Sequence, residues 1–133
     1  MTKYFTINEL IRSDTARRNG IDNIPSQVVT LRLGQLIEKV LNPLRELWGA
    51  PIIITSGYRS TLLNDMVGGA KNSQHITGNA ADLTTGSRKD NRRLFEMVRS
   101  SNIPFDQLIL ENGGEWIHIS YRQHHPRKQT LKL

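Results

Sequence analysis

The chain has 133 residues, of which 37% are hydrophobic and 23% are charged, and this suits one compact domain and argues against global disorder. It has no cysteine, which excludes disulfides, thiol catalysis and thiolate metal sites. Its net charge of +6 favours polyanionic partners but does not distinguish nucleic acid from anionic cell-wall polymer.

The first half of the chain is predicted to be helical. Residues 6–9 have the form of a capping box, and residues 13–15 indicate a second helix start. From residue 26 to residue 48, apolar residues recur at helical spacing, which predicts the longest helix of the chain. Pro43 should kink or break this helix, and Gly49 should end it.

Four short runs of β-branched and aromatic residues predict strands. They are residues 51–56, 80–84, 105–110 and 116–121. We expect the first strand to be buried and the last two to form a hairpin around a turn at residues 112–114. Helices followed by a small mixed sheet predict an α+β fold.

Two further helices are predicted between these strands. Ser60 has the position of a cap for a short helix, and Ser87 has that position for a helix that ends near Ser100. Residues 122–133 carry much of the excess positive charge and are interpreted as a solvated tail. Because no repeat, low-complexity stretch or linker is present, residues 1–133 are predicted to form one domain.

Three polar residues of the second half have the chemistry of a zinc site. His75 and Asp82 lie seven residues apart, and His118 lies in a predicted strand on the face opposite its isoleucines. Two imidazoles and a carboxylate suit Zn²⁺, and three protein ligands leave a fourth tetrahedral position open, as in catalytic sites. Zinc in such a site lowers the pKa of its water to about 7.

Hydrolysis also needs a proton-transfer group and a group that stabilises negative charge. Glu115 precedes His118 by three residues, so a regular strand would point the two side chains in opposite directions. Glu115 must therefore enter from the turn or be re-aimed by a bulge. Arg59 follows a predicted strand end, and its planar guanidinium suits a carboxylate or an oxyanion.

Each of these residues also has an ordinary structural interpretation. Taken alone, His75 and His118 are more often hydrogen-bonded or packed histidines than metal ligands. Taken alone, Glu115 is interpreted as an ordinary turn carboxylate, and Arg59 as a surface residue or the partner in an ion pair. On spacing alone, the metal site is a minority hypothesis.

The ordered set of motifs resembles the zinc D-Ala-D-Ala carboxypeptidase family. The motifs are Ser56-Gly57-Tyr58-Arg59-Ser60, then Ser73-Gln74-His75 followed by Gly78, Ala80 and Asp82, and finally Glu115-Trp116-Ile117-His118. This family includes the vancomycin-resistance D-Ala-D-Ala dipeptidases and phage L-alanyl-D-glutamate endolysins, and it shares its fold with the signalling domain of Hedgehog proteins. The resemblance covers about residues 26–121 and matches each fixed position of the family pattern.

The resemblance implies a small antiparallel sheet flanked by helices and one zinc ion bound by His75, Asp82 and His118. It implies that Glu115 is the general base and acid, and that Arg59 steadies the scissile carbonyl or its oxyanion. The implied substrate is a stem peptide of bacterial peptidoglycan. The implied reaction is that of a D-Ala-D-Ala carboxypeptidase or of an L-Ala-D-Glu endopeptidase.

Four further residues are candidates for substrate binding. The resemblance implies that Ser73 and Gln74 line the same pocket. Tyr58 and Trp116 are candidate substrate platforms, although such aromatic residues are more often part of a core or its rim. We expect the protein to act as a monomer.

Two other functions compete with the peptidase. A zinc-binding module without turnover, as Hedgehog domains illustrate, needs neither Glu115 nor Arg59, so the presence of both argues against it. A nucleic-acid-binding protein would suit the positive charge, but the sequence has neither a basic run interleaved with aromatic residues nor zinc-finger spacing.

The N-terminal segment is polar from the start and lacks the apolar stretch of a secretory signal. No apolar run approaches the roughly 20 residues that span a bilayer. We therefore expect a soluble protein that is synthesised in the cytoplasm and reaches the cell wall after release by lysis.

Overall fold

A computed structural model describes residues 3–133 of the chain. The helices are α1 (Ile7–Ile11), α2 (Asp14–Arg18), α3 (Gln27–Leu36), a π-helical segment (Ile37–Leu41), α4 (Asn42–Trp48), α5 (Thr61–Met66) and α6 (Arg88–Arg99). The strands are β1 (Ile53–Ser56), β2 (Ala80–Thr84), β3 (Phe105–Glu111), β4 (Trp116–Tyr121) and β5 (Gln129–Lys132). No helix of the described part of the chain is long and apolar enough to cross a membrane.

The five strands form one sheet in the order β1-β2-β4-β3-β5. Neighbouring strands from β1 to β3 pair in antiparallel fashion, and β5 pairs with β3 in parallel. The α+β class predicted from the sequence is confirmed, and the fifth strand makes the sheet mixed rather than wholly antiparallel.

The two faces of the sheet differ in chemistry because strand side chains alternate. One face packs against the helices and forms the hydrophobic core. Core residues include Leu33, Leu36, Ile54, Ala81, Leu83, Leu94, Phe95, Leu108, Leu110, Ile117 and Ile119. The other face, here called the polar face, carries the side chains of Asp82 and His118, which lie opposite each other on β2 and β4.

The long helix continues past Pro43, so the break that its sequence allows is absent there. The backbone changes to π-helical hydrogen bonding just before the proline, which then lies in the first turn of α4. A first-turn proline needs no helical N–H donor, so its cost there is small. Gly49 ends α4 with a φ of 78°, as predicted.

The expectation of a buried first strand is wrong for one of its faces. β1 lies at the edge of the sheet, and Ile53 is 58% exposed while Ile54 is buried. Continuous β-branched sequence does not reveal that one face of a strand is exposed to solvent.

The solvated tail expected for residues 122–133 is also wrong. Residues 129–132 form β5 against β3, and Arg127 contacts the buried carboxylate of Asp106. Arg127 donates to this carboxylate from its backbone N at 2.9 Å, its Nε at 3.0 Å and its Nη2 at 2.7 Å. The positive charge of this segment is therefore partly neutralised by a residue 21 positions earlier.

Candidate metal centre

His75, Asp82 and His118 converge on the polar face of the sheet. One nitrogen or oxygen atom from each side chain lies within 4.8 Å of the other two. Asp82 Oδ1 is 3.3 Å from His75 Nε2 and 3.0 Å from His118 Nδ1. The two rings meet edge to face with their centroids 5.1 Å apart. These atoms are close enough together to share one cation.

The loop before β2 fixes the orientation of His75, which is almost fully buried. Its Nδ1 lies 2.7 Å from the carbonyl oxygen of Gly57, so Nδ1 donates to that oxygen and Nε2 faces Asp82. The Ser73 hydroxyl accepts a hydrogen bond from the backbone N of His75 at 3.1 Å. Such contacts hold a ligating imidazole in place before a metal binds.

Gly57 is required at its position because of a close backbone approach. A Cβ atom there would lie 2.2 Å from the carbonyl oxygen of Leu10, which accepts a hydrogen bond from Tyr58 N at 2.7 Å. The first helix is thereby fixed directly beside the segment that orients His75.

Asp82 is held as a carboxylate. Burial raises the pKa of its carboxyl group, but hydrogen bonds from His118 and His75 and the interaction with their charges outweigh burial, so the pKa lies well below its usual range. An ionised carboxylate beside two imidazoles is a donor set that zinc accepts. The residues present therefore fit the metal that their motif implies.

Arg59 lies beside this cluster. Its backbone N donates to the carbonyl oxygen of His75 at 3.1 Å, which ties it to the ligand loop. Burial lowers the pKa of the guanidinium, and the nearby Asp82 charge opposes this effect. Its Nε is buried without a hydrogen-bond partner among residues 3–133. An unpaired buried donor is costly, so this N–H suits an oxygen atom of a bound ligand.

Tyr58 and Arg59 both line a cavity of about 490 Å³ beside β1. Tyr58 also packs against the hydrophobic core, and burial raises the pKa of its hydroxyl group. Tyr58 therefore lies at the rim of the core and borders this cavity.

Ser73 and Gln74 line a second cavity of about 550 Å³ that also includes His118 and Glu111. Gln74 Nε2 donates to Asp106 at 3.0 Å. Hydrogen bonds from Arg127 lower the pKa of Asp106 to about 2. Asp106 is not among the predicted site residues, although an acidic residue among the apolar residues of a strand indicates a buried ion pair.

Glu115 does not reach the cluster. It lies in the turn before β4, and its carboxylate accepts hydrogen bonds from Asn112 Nδ2 at 3.1 Å and Arg88 Nη2 at 3.4 Å. The pairing of β4 with β3 has no bulge between Trp116 and His118 that would re-aim Glu115. Its role in proton transfer stays a prediction, and Trp116 is half-buried at the start of β4.

Comparisons with known proteins agree with this arrangement. The family model described as Peptidase M15 matches residues 3–120. The chain is also 53% identical over 38 residues to the zinc D-Ala-D-Ala carboxypeptidase of Streptomyces albus G. This match covers 29% of the chain and 15% of the length of that relative, so the likeness to the relative is local.

Proposed function

The chain belongs to the peptidase M15 family, and on this premise we propose that it is a zinc-dependent peptidase that hydrolyses D-amino-acid-containing bonds of bacterial peptidoglycan. The observation that carries this proposal is the convergence of His75, Asp82 and His118, whose ligand atoms lie within 4.8 Å of one another. Their three donors leave room in a tetrahedral shell for a reacting group, which is typical of catalytic zinc.

The proposed roles follow from chemistry and position. Zinc held by the three side chains supplies a Lewis acid that polarises the scissile carbonyl and lowers the pKa of water. Arg59 donates its unpaired Nε–H to the carbonyl oxygen as negative charge develops on it. Glu115, in the turn before β4, takes a proton from the attacking water and delivers it to the leaving amine. The sequence motif assigns that proton transfer to Glu115.

Two cavities contain proposed substrate-binding residues, and one of them also contains a residue of the metal centre. One is lined by Arg59 and Tyr58, and the other by His118, Ser73 and Gln74. A substrate chain that continues in both directions needs a cleft that is open on both sides of the metal, whereas a carboxypeptidase site ends at the cation that receives the terminal carboxylate. We propose one of these two reactions, removal of the terminal D-Ala or cleavage between L-Ala and D-Glu.

A second candidate function is a zinc-binding module without turnover. The placement of Glu115 favours it, because this carboxylate contacts Arg88 and Asn112 instead of the metal centre. A module of this kind would bind zinc together with a wall peptide or a protein partner, and it would not cleave that peptide or partner.

The deciding experiment is mass spectrometry of purified peptidoglycan and its stem peptides after incubation with the zinc-loaded protein. Cleavage between L-Ala and D-Glu or loss of the terminal D-Ala, absent with chelator and restored by zinc, is the expected result. Loss of only the terminal D-Ala would make the protein a carboxypeptidase. Intact peptides across several wall types, from folded and zinc-loaded protein, would favour the binding module.

A further inference from the structure

We propose that Arg122 determines the substrate specificity of this peptidase by binding a free carboxylate of the stem peptide. The inference rests on the proposed peptidase function and deepens it, because it assigns a binding site to one chemical group of the substrate. Arg122 lies beyond residues 3–120, which the family model matches, so the family likeness leaves this part of the chain unassigned.

Arg122 follows directly after β4, the strand that carries His118. Both residues line the cavity of about 550 Å³ that also includes Ser73 and Gln74, here called the metal-side cavity. Four residues separate them along the extended backbone, which corresponds to about 13 Å. Arg59 lines a different cavity. The guanidinium of Arg122 is therefore suited to a group of the substrate that is remote from the scissile bond.

The segment that carries Arg122 is fixed on both sides. Before it, Tyr121 N donates to the carbonyl oxygen of Asn79 at 2.8 Å. After it, Arg127 donates to the fully buried carboxylate of Asp106 from its backbone N and from its side chain. Arg127 itself lines the metal-side cavity. These contacts hold the segment along the cavity, although its sequence predicts a solvated tail.

Arg122 is the unpaired one of the two arginines that line the metal-side cavity. Arg127 pairs with Asp106, with its Nη2 2.7 Å from Oδ2. Arg122 is exposed and makes no hydrogen bond or ion pair within residues 3–133. A guanidinium is a planar fork of N–H donors that matches both oxygen atoms of a carboxylate. A substrate carboxylate can therefore bind Arg122 without displacing a partner in the protein.

The opposite end of the same cavity disfavours a carboxylate. Glu111 lines that end, where it pairs with Trp116 at the start of β4. The backbone of Trp116 lies six residues from Arg122, or about 20 Å, with His118 between them. Glu111 makes no hydrogen bond or ion pair with the described part of the chain, so its negative charge would repel a carboxylate bound there. The two charges thus orient a substrate with its carboxylate towards Arg122.

A third cavity, of about 550 Å³, adjoins the metal-side cavity at Arg122. Asn72, Ser73, Gln74 and Arg122 line both of them. Arg32 also lines the third cavity, and no aspartate or glutamate of the described chain does so. Positive charge without an opposing carboxylate raises the local concentration of anionic groups. The surroundings of Arg122 therefore favour a negatively charged part of the substrate.

The proposed substrate supplies the matching group. A glutamate residue within a peptide uses one carboxyl group in the bond to the next residue and keeps the other one free. The terminal D-Ala of an uncut stem peptide also carries a free carboxylate. Arg122 can bind either of these groups, because they are chemically alike, and selective amidation of each one distinguishes them.

The test uses synthetic stem peptides and the zinc-loaded chain of 133 residues. One peptide is unmodified, one has the free carboxylate of D-Glu converted to a carboxamide, and one has the terminal carboxylate converted in the same way. The wild type is compared with Arg122→Gln, Arg122→Glu and the control Arg18→Gln. Arg18 is an exposed arginine of α2 that makes no hydrogen bond or ion pair within residues 3–133. For each protein, kcat/KM is measured on each peptide, and the zinc dissociation constant by competition with a chromophoric chelator.

In the wild type, one of the two carboxamides should lower kcat/KM by about 5–30-fold, because a charge-assisted hydrogen bond to an exposed arginine is lost. Arg122→Gln should show a similar loss on the unmodified peptide and should no longer distinguish it from that carboxamide. Arg122→Glu should prefer the carboxamide, since its own carboxylate repels the unmodified peptide. Arg18→Gln should keep the wild-type preference, and all variants should bind zinc as the wild type does.

The inference is overturned if the wild type does not distinguish the peptides, if Arg122→Gln keeps the wild-type preference, or if it loses activity equally on all the peptides. Loss of zinc from Arg122→Gln would also overturn it, because the residue would then support the metal centre. A wild type that cleaves none of the peptides would overturn the proposed function instead. Calorimetry with the same peptides then tests Arg122 separately. A preference for the free carboxylate that Arg122→Gln lacks supports the binding site, and equal binding of the peptides overturns it.

Discussion

Replacement of Arg127 by alanine should destabilise the fold, although Arg127 lies in a segment whose sequence resembles a disordered basic tail. Its side chain donates two hydrogen bonds to the fully buried carboxylate of Asp106. After the substitution, this carboxylate keeps its bonds from Gln74 and from the backbone of residue 127 but loses its cation. A buried charge without its partner is costly.

The size of the expected destabilisation follows from the pKa of Asp106, which falls from an ordinary 3.8 to about 2 in the folded protein. At roughly 1.4 kcal/mol per pH unit this corresponds to about 2 kcal/mol of stability. Since the Arg127 side chain is 47% exposed, solvent screening weakens the contribution of Arg127 to this stabilisation. We expect Arg127→Ala to lower the free energy of unfolding by about 1–2 kcal/mol at pH 7.

The effect should depend on pH in a defined direction. The folded state lowers the pKa of Asp106, so the stabilisation is present above the unfolded pKa of 3.8 and is lost as pH falls towards 2. The difference between Arg127→Ala and the wild type should therefore be largest at neutral pH and shrink below about pH 4.

Urea unfolding of both proteins at pH 7 and at pH 3, followed by circular dichroism, measures this difference. Arg122→Ala is the matched control, because Arg122 is exposed and makes no hydrogen bond or ion pair with the rest of the described chain. It should change stability by less than about 0.5 kcal/mol. An Arg127→Ala effect no larger than that of the control, or one that grows at low pH, would refute the reasoning.

Substitutions at Asp82, Arg59 and Gly57 test the metal centre and the close packing beside it. Asp82→Asn should weaken zinc binding sharply, since it removes the anionic ligand, and a chelator competition titration that finds wild-type affinity would count against the site. Arg59→Ala should lower kcat by about 10²–10³-fold with zinc still bound. Arg59→Lys should restore little activity in the same peptide assay, because a lysine cannot reproduce the guanidinium. Gly57→Ala should destabilise the protein by about 1–3 kcal/mol through the clash with Leu10. Gly34→Ala, which meets open space inside α3, should be neutral or stabilising in thermal unfolding.

Local signals in the sequence were sufficient for most of the helices. Thr6, Ser26, Ser60 and Ser87 each accept a backbone hydrogen bond at the start of a helix. A cap involves residues within one turn, so adjacent sequence specifies it. The same holds for Gly49, whose left-handed conformation ends α4 without any distant contact.

The candidate metal ligands could also be predicted from the sequence, but for a different reason. His75, Asp82 and His118 were selected by a pattern of residue types that resembles a known family, because spacing alone left them a minority hypothesis. Their convergence depends on the pairing of Asp82 with His118 across β2 and β4, which are separated by α6 and β3 along the chain.

The sequence by itself determined the α+β class, the helix caps, the faces of β2 and β4 and the identity of the candidate ligands, because these depend on near neighbours or on an ordered motif. Only the tertiary structure decided that β1 is an edge strand, that residues 129–132 join the sheet, and that Arg127 contacts Asp106. Only strand register decided that Glu111 shares a face with His118. A shift of one residue in that register would exchange the two faces, and no local signal in the chain specifies it.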